Sequence, residues 1–256
     1  MLPTEHMKTP HAQPRDSIDV ERRRGELPFG METRNEAVNY FAWQADIFRE
    51  IARGRIIDHG AGAGGLSIAL LDAGARDVVA LEPDASLVSR LHQNLADRTG
   101  VRVFRGTLDD YLAEHGPNCV DCIVSSNVLE HVAQDVACLR AMWEALRPGG
   151  GVGIYVPARP ELFGSLDRAV GHVRRYTAGE LEQNLRLAGF DVAFVQYRNL
   201  AGVLPWLVAG RVLKLNSVGG GGVRFFDRVI FPVCRRLEDM FRPMYGLNLA
   251  AIGVKR

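Results

Sequence analysis

Between residues 55 and 157 short apolar runs take turns with amphipathic stretches, and this alternation constrains the fold more than any other feature of the chain. The runs at 78–82, 120–125 and 151–157 are largely apolar along their length, and shorter apolar runs bounded or interrupted by charged residues lie at 55–58 and 101–105. Strands of that kind are covered on both faces, unlike a sheet with one side open to water. The stretches between them, 64–73, 85–96, 109–114 and 133–146, read as helices. Strands separated by helices build βαβ units, and these predict a doubly wound, parallel α/β sheet. An amphipathic helix over 32–53 leads into it, with Ala37, Tyr40, Phe41, Ala45, Ile47, Phe48 and Ile51 roughly at helical spacing.

After residue 157 the rhythm changes. A loop at 158–176 precedes a helix that starts on a capping box of Thr177 and Glu180 and closes at Gly189. A sixth strand follows at 191–197, and a seventh is predicted at 247–254. The segment between them is too long for a plain connection. It holds the apolar stretch 200–213, the tract 219–222 of four glycines and a second helix over 224–240.

The 256 residues, 47% of them hydrophobic, suffice for one large domain, expected over 31–256 with an insert at 200–242 and a flexible leader at 1–30. A net charge of +1 leaves no electrostatic footprint for nucleic acid. The start has no basic region followed by an apolar one, and no stretch is long enough to span a bilayer, so a cytoplasmic protein is expected. Cys119 and Cys122 are spaced like metal ligands, but Cys122 lies in a buried strand pattern and no second pair completes a site; no metal is expected.

The first strand runs into Asp58-His59-Gly60-Ala61-Gly62-Ala63-Gly64-Gly65. Glycines permit a sharp turn and let a ligand lie against bare backbone. A helix starting near Gly64 aims free N–H groups and a positive dipole end at that ligand. Glu82 ends the second strand, where a carboxylate accepts hydrogen bonds from two neighbouring ribose hydroxyls. An adenosine-type ligand across these strand ends follows. Gly60, Gly62 and Gly65 also satisfy the dinucleotide spacing Gly-x-Gly-x-x-Gly, so NAD remains a second reading at this point.

The segment resembles the first motif of class I S-adenosylmethionine-dependent methyltransferases. Asn127-Val128-Leu129-Glu130-His131-Val132 and Leu146-Arg147-Pro148-Gly149-Gly150 resemble later signatures of the superfamily. The run from Val156 to Tyr176, with Gly171-His172-Val173-Arg174-Arg175-Tyr176, resembles a narrower bacterial branch that acts on small molecules. The resemblance implies a Rossmann-like, mostly parallel seven-stranded sheet, with a reversed seventh strand between the fifth and sixth and a helical insert before it. It implies S-adenosyl-L-methionine as cofactor and a small-molecule or lipid-like acceptor. Carried over by position, Gly60, Gly62 and Gly64 face the methionine part, Glu82 binds the ribose, and Asp58 stands near the amino group or sulfonium. Leu108 and Asp109 border the adenine, Asn127 the methionine end, and Tyr40 covers the cofactor. Thr107 departs from the superfamily, where an Asp is frequent.

Methyl transfer needs an aligned nucleophile and exclusion of water, with a base where the acceptor carries a proton. His131 and His172 are the candidate catalytic groups, each also readable as structural. Arg174 and Arg175 suit an anionic substrate or internal pairing with Asp167 and other acids. Trp206 and the apolar residues of 200–214 suit an acceptor pocket, a dimer contact, a membrane surface beside Arg211 and Lys214, or plain packing on the core. The remaining alternatives are an NAD-dependent oxidoreductase and a non-catalytic, cofactor-binding partner subunit.

Overall fold

The computed structural model describes residues 37–217 and 220–256; the expected leader at 1–30 lies outside the described residues. Seven strands form one sheet: β1 Arg55–His59, β2 Asp77–Glu82, β3 Val101–Arg105, β4 Val120–Ser126, β5 Leu146–Pro157, β6 Asp191–Arg198 and β7 Asn248–Val254. Their order is β3-β2-β1-β4-β5-β7-β6. The first five pair in parallel. Strand β7 runs antiparallel to both β5 and β6, in the reversed position that separates this topology from an ordinary dehydrogenase sheet. The order reverses between β1 and β4, and in open α/β sheets ligands settle at the carboxyl ends beside such a point.

Side-chain alternation divides the core between the two faces. Ile56 pairs with Val78 and with Cys122, and all three point into one cluster with Phe48, Leu66 and Leu70. Their neighbours Ile57, Val79 and Ile123 point into the other, against Leu139, Met142, Leu181 and Leu185. The helices supplying these faces are α1 Val38–Ile47, α2 Gly65–Asp72, α3 Ala85–Leu95, α4 Leu108–His115, α5 Asp135–Ala145, α6 Ser165–Val170 and α7 Ala178–Leu187. Cys119 and Cys122 belong to opposite faces and different clusters, so one ion cannot reach both sulfurs.

Some local expectations change. The helix expected from residue 32 is described only from Val38, and it ends at Ile47. The loop after β5 contains α6. At α7 the Thr177 hydroxyl accepts the Glu180 amide. The reciprocal capping box occurs at α4, where Thr107 accepts the Asp110 amide and Asp110 accepts the Thr107 amide. Thr107 thus serves as a helix cap where the resembled family frequently has an acid.

The insert has two helical arms. The first is α8 Val203–Leu207, continued by a π-helical turn over Val208–Val212. The second runs α9 Gly220–Phe225, a π-helical turn Phe226–Ile230, then α10 Phe231–Met240. Pro232 lacks the amide that would close the preceding α-turn, which accounts for the wider turn before it. Residues 220–222, read from sequence as a mobile glycine tract, form the start of α9. First-turn amides need no intrahelical partner, so the rest of the helix can carry them. No helix among the described residues is long and apolar enough to cross a membrane.

Candidate active site

The turn after β1 is built by backbone strain that only glycine takes without cost. Gly60, Gly62 and Gly64 have φ of 74°, 57° and 92°. A Cβ on Gly60 would stand 2.5 Å from Val128, and one on Gly64 2.8 Å from Leu91. The missing side chains at these two positions therefore make room for neighbouring protein, beyond any ligand. The turn is tied to β2: the amide of Gly62 donates to Glu82 Oε2 at 2.9 Å, and that of Asp84 donates to Oε1 at 2.9 Å. The two amides thereby fix the orientation of the Glu82 carboxylate. Asp58, buried beneath the turn, accepts the Ser67 hydroxyl at 2.6 Å. Burial pushes its carboxyl up to about 7, with the Glu82 charge adding to the effect.

Beyond Glu82 the adenine-side candidates separate. Leu108 is buried in the core below α4, and Asp109 is exposed on the first turn of that helix.

At the end of β4, Asn127 has φ of 54°, an uncommon conformation for a residue with a side chain. Its amide donates to the Tyr155 carbonyl at 2.8 Å. Val128, against Gly60, joins this segment to the glycine turn. Glu130 and His131 follow in a single 3-10 turn, Leu129–His131. Glu130 is fully buried, and neither carboxylate oxygen accepts a hydrogen bond. Burial pushes its carboxyl up to about 8.

The segment after β5 returns to cover this turn. Val173 donates its amide to the Glu130 carbonyl at 2.9 Å, and the Tyr176 hydroxyl bonds the Leu129 carbonyl and Asp135. His172 is thereby brought to Glu130, with Nε2 3.6 Å from Oε1. The rings of His131 and His172 meet edge to face, centroids 4.9 Å apart. His131 Nδ1 faces the Gly171 carbonyl at 3.2 Å, and burial lowers this imidazole to about 4.

Asp167 is the hub beneath them. It accepts from Gly164, from His172 Nδ1 at 2.9 Å, from Arg175 Nε at 2.7 Å and from Trp206 Nε1 at 3.3 Å. Burial alone would raise its carboxyl, but the His172, Arg175 and Gly164 donors outweigh that and hold it below the ordinary range. Arg175 also donates to the Ala158 carbonyl, and Arg174 pairs with Asp135 at 3.0 Å. Both arginines are thus engaged inside the protein, the second of the two roles open to them from sequence. Trp206 reaches this hub from the insert.

Helix α1 forms the opposite wall. Tyr40 meets Tyr155 and Phe231 edge to face at 5.7 and 5.6 Å, and burial pushes its phenol up to about 12. The amides of Asn39 and Tyr40 donate to Asp227 of the insert at 3.1 and 2.9 Å. Arg235 pairs with Asp46 further along. Gln44 and Tyr155 are fully buried beside the Tyr40 phenol.

Sequence reasoning left Gln44, Tyr155, Asp227 and Glu130 without roles. Gln44 was findable, as an amide one helical turn from both Tyr40 and Phe48 on an apolar face. Asp227 lies 188 positions from Asn39, and no local signal announces such a contact.

Residues 56–150 match the family model described as a methyltransferase domain. Over this stretch the chain is similar to methyltransferase domains. Curated relatives include the ubiquinone biosynthesis O-methyltransferases of Ruegeria pomeroyi, 36% identical over 104 residues, and Azorhizobium caulinodans, 35% identical over 118. The Ruegeria match covers 40% of each chain and the Azorhizobium match 46% of each. The chain thus spans under half the length of these curated relatives. Among solved structures, an S-adenosylmethionine-dependent methyltransferase from Mesorhizobium loti superposes with a TM-score of 0.58 at 19% identity, over 87% of this chain and all of that one. The [4+2]-cyclase SpnF also gives 0.58, at 16% identity over 84% of this chain and 80% of its own. The fold is thus shared by a methyltransferase and a cyclase alike, so the activity has to be argued from the site.

Proposed function

We propose that this protein transfers a methyl group from S-adenosyl-L-methionine to a small, lipid-like acceptor. The observation that carries the reading is the Glu82 carboxylate, held by two backbone amides beside the glycine turn at the β1/β4 switch point. A carboxylate oriented in this way fits the adjacent hydroxyls of a ribose. The unbonded carboxylate oxygens of Glu130 fit a polar guest near the end of β4. When bound, the cofactor supplies an electrophilic methyl on a sulfonium.

The residues then divide the work. Gly60, Gly62 and Gly64 shape the turn against the methionine part, and Asp58 offers its carboxylate to the cationic end. Asp109 borders the base, with Leu108 packed in the core behind it, and Asn127 closes the methionine end. Tyr40, held in place by the Asp227 contact with α1, shields the site from water. His131 and His172 stand where an acceptor proton leaves. With Nδ1 donating to Gly171, His131 keeps a lone pair on Nε2.

The relatives' printed role in ubiquinone biosynthesis supports a lipid-like acceptor. So does the insert, where Leu204, Val212 and Leu213 are exposed beside Arg211 and Lys214. Such a surface suits peripheral contact with an anionic membrane through 200–214.

Calorimetric titration with S-adenosylhomocysteine tests the cofactor assignment. Micromolar binding is expected, weakened at least ~10-fold in Glu82→Ala as two charge-assisted hydrogen bonds are lost. Folded protein that ignores this compound and binds NAD would return the oxidoreductase reading. Mass spectrometry of lipid extracts incubated with S-adenosylmethionine then seeks a product one methylene heavier. Binding without any such product would favour the non-catalytic reading.

A further inference from the structure

We propose that Glu130, His131 and His172 bind a divalent transition-metal ion beside the acceptor. Each offers a ligand atom, and these three atoms lie within 4.8 Å of one another. Glu130 is wholly enclosed with both oxygens unbonded. A buried carboxylate without donors is costly, and a cation is one partner that removes the cost.

The hydrogen bonds around the two rings prepare them as ligands. His172 Nδ1 faces Asp167 Oδ1 at 2.9 Å, and a carboxylate accepts, so that nitrogen carries the proton. His131 Nδ1 faces the Gly171 carbonyl at 3.2 Å, with the same consequence. In the neutral form of each ring this puts the lone pair on Nε2, and the Nε2 of His172 lies 3.6 Å from Glu130 Oε1. Metal-bound histidines characteristically donate their second nitrogen to a carboxylate or a backbone carbonyl in this way. The nearby Arg175 charge opposes a cation, but its Nε is paired with Asp167.

A tetrahedral ion with bonds of ~2.0–2.1 Å needs its ligand atoms about 3.4 Å apart, so the side chains draw in by roughly an ångström on loading. Two imidazoles and one carboxylate suit zinc, iron or manganese in preference to calcium or magnesium. Three protein ligands leave a position open. On the methyltransferase reading, an acceptor hydroxyl occupies that position and the ion lowers its pKa so that its proton passes to bulk solvent as it binds; the oxygen then takes the methyl as the carbon–sulfur bond breaks and S-adenosylhomocysteine leaves. The histidines then act as ligands of the ion that activates the acceptor. This departs from the metal-free site expected from sequence. The ion site itself rests on the three side chains alone.

Untagged protein freed of metal with a chelator is titrated with cobalt(II) and zinc(II), and loading is counted by elemental analysis. One ion per chain is expected, with visible cobalt bands of a four- or five-coordinate nitrogen–oxygen site and a zinc-dependent rise in Tm. His131→Ala, at a partly exposed position, and Glu130→Gln, which keeps the buried volume, should each weaken binding by roughly 100-fold or more. His92→Ala, on the far helix α3, should leave it unchanged. Loading well below one ion, or binding that survives in both site variants, overturns the proposal. S-adenosylhomocysteine binding is measured in parallel on the metal-free protein. Its loss with ion binding intact counts against the methyltransferase reading alone, and the reverse counts against the ion site alone.

Discussion

The carboxyl ends of the strands hold two regions of opposite character. Around β1 and β2 the acids are furnished with donors: Glu82 takes two amides, Asp58 a hydroxyl and Asp84 the first amides of α3. At the end of β4, Glu130 is as deeply buried, yet neither of its carboxylate oxygens accepts a hydrogen bond. The first region is preorganised, so a ligand meets fixed acceptors at little reorganisation cost. The second is completed by whatever partner brings donors, a proton or charge to it. A rigid cofactor half beside an incomplete acceptor half is the arrangement expected where one ligand stays the same and the other decides specificity.

Placing a large side chain in the rigid half should have the greatest effect. Gly62→Arg puts a long cation on a buried residue at φ of 57°, whose amide orients Glu82. Cofactor-product binding should become undetectable by calorimetry while circular dichroism remains that of a folded α/β protein. Retained affinity would show that the turn does not approach the ligand.

Next comes the support of the incomplete half. Asp167→Ala leaves Arg175 buried without its carboxylate and frees His172, and should cost about 3–5 kcal/mol in urea denaturation. A loss below ~1 kcal/mol would mean that the strap after β5 is held by its apolar contacts instead.

A pH titration sharpens the contrast from the side of Asp58. With its carboxyl near 7, the apoprotein holds a proton there at pH 6. A cationic ligand prefers the carboxylate, so binding expels that proton, and affinity should fall by up to ~10-fold between pH 7 and pH 6. Asp58→Asn should flatten this slope. The stability linkage has the opposite sense: the folded state holds the proton more tightly than the unfolded chain, so this contribution is present in acid and is lost as pH rises through about 7.

The smallest effect is expected at the wall shared by both halves. Asp227→Ala removes the acceptor for two amides at the start of α1, at a cost of about 1–2 kcal/mol. Hydrogen exchange should quicken over 38–47, with β1 and β2 unchanged.

Much of the rigid half was legible from sequence. The glycine turn, the acid at the end of the second strand and the alternation of strands and helices are all written within short windows. Leu108 shows the limit even there: position alone put it at the ligand, but its side chain packs in the core. The incomplete half was less legible. His131 and His172 were both named as candidates, yet Glu130 between them passed as part of a motif without a role of its own. Its character depends on burial by a segment that returns 40 positions later, as the His131–Gly171 contact measures.

By itself the sequence determined the layered α/β architecture and the place of the cofactor turn, because strand and helix periodicities and glycine's conformational freedom act over a few residues. Only the tertiary structure decided which buried groups find partners. Asp167 gathers Arg175, His172 and Trp206 into one hub, Asp227 crosses 188 positions to start α1, and Glu130 is enclosed with no donor. These are outcomes of long-range packing, in which burial sets the cost of each unpaired charge and distant side chains settle whether it is met.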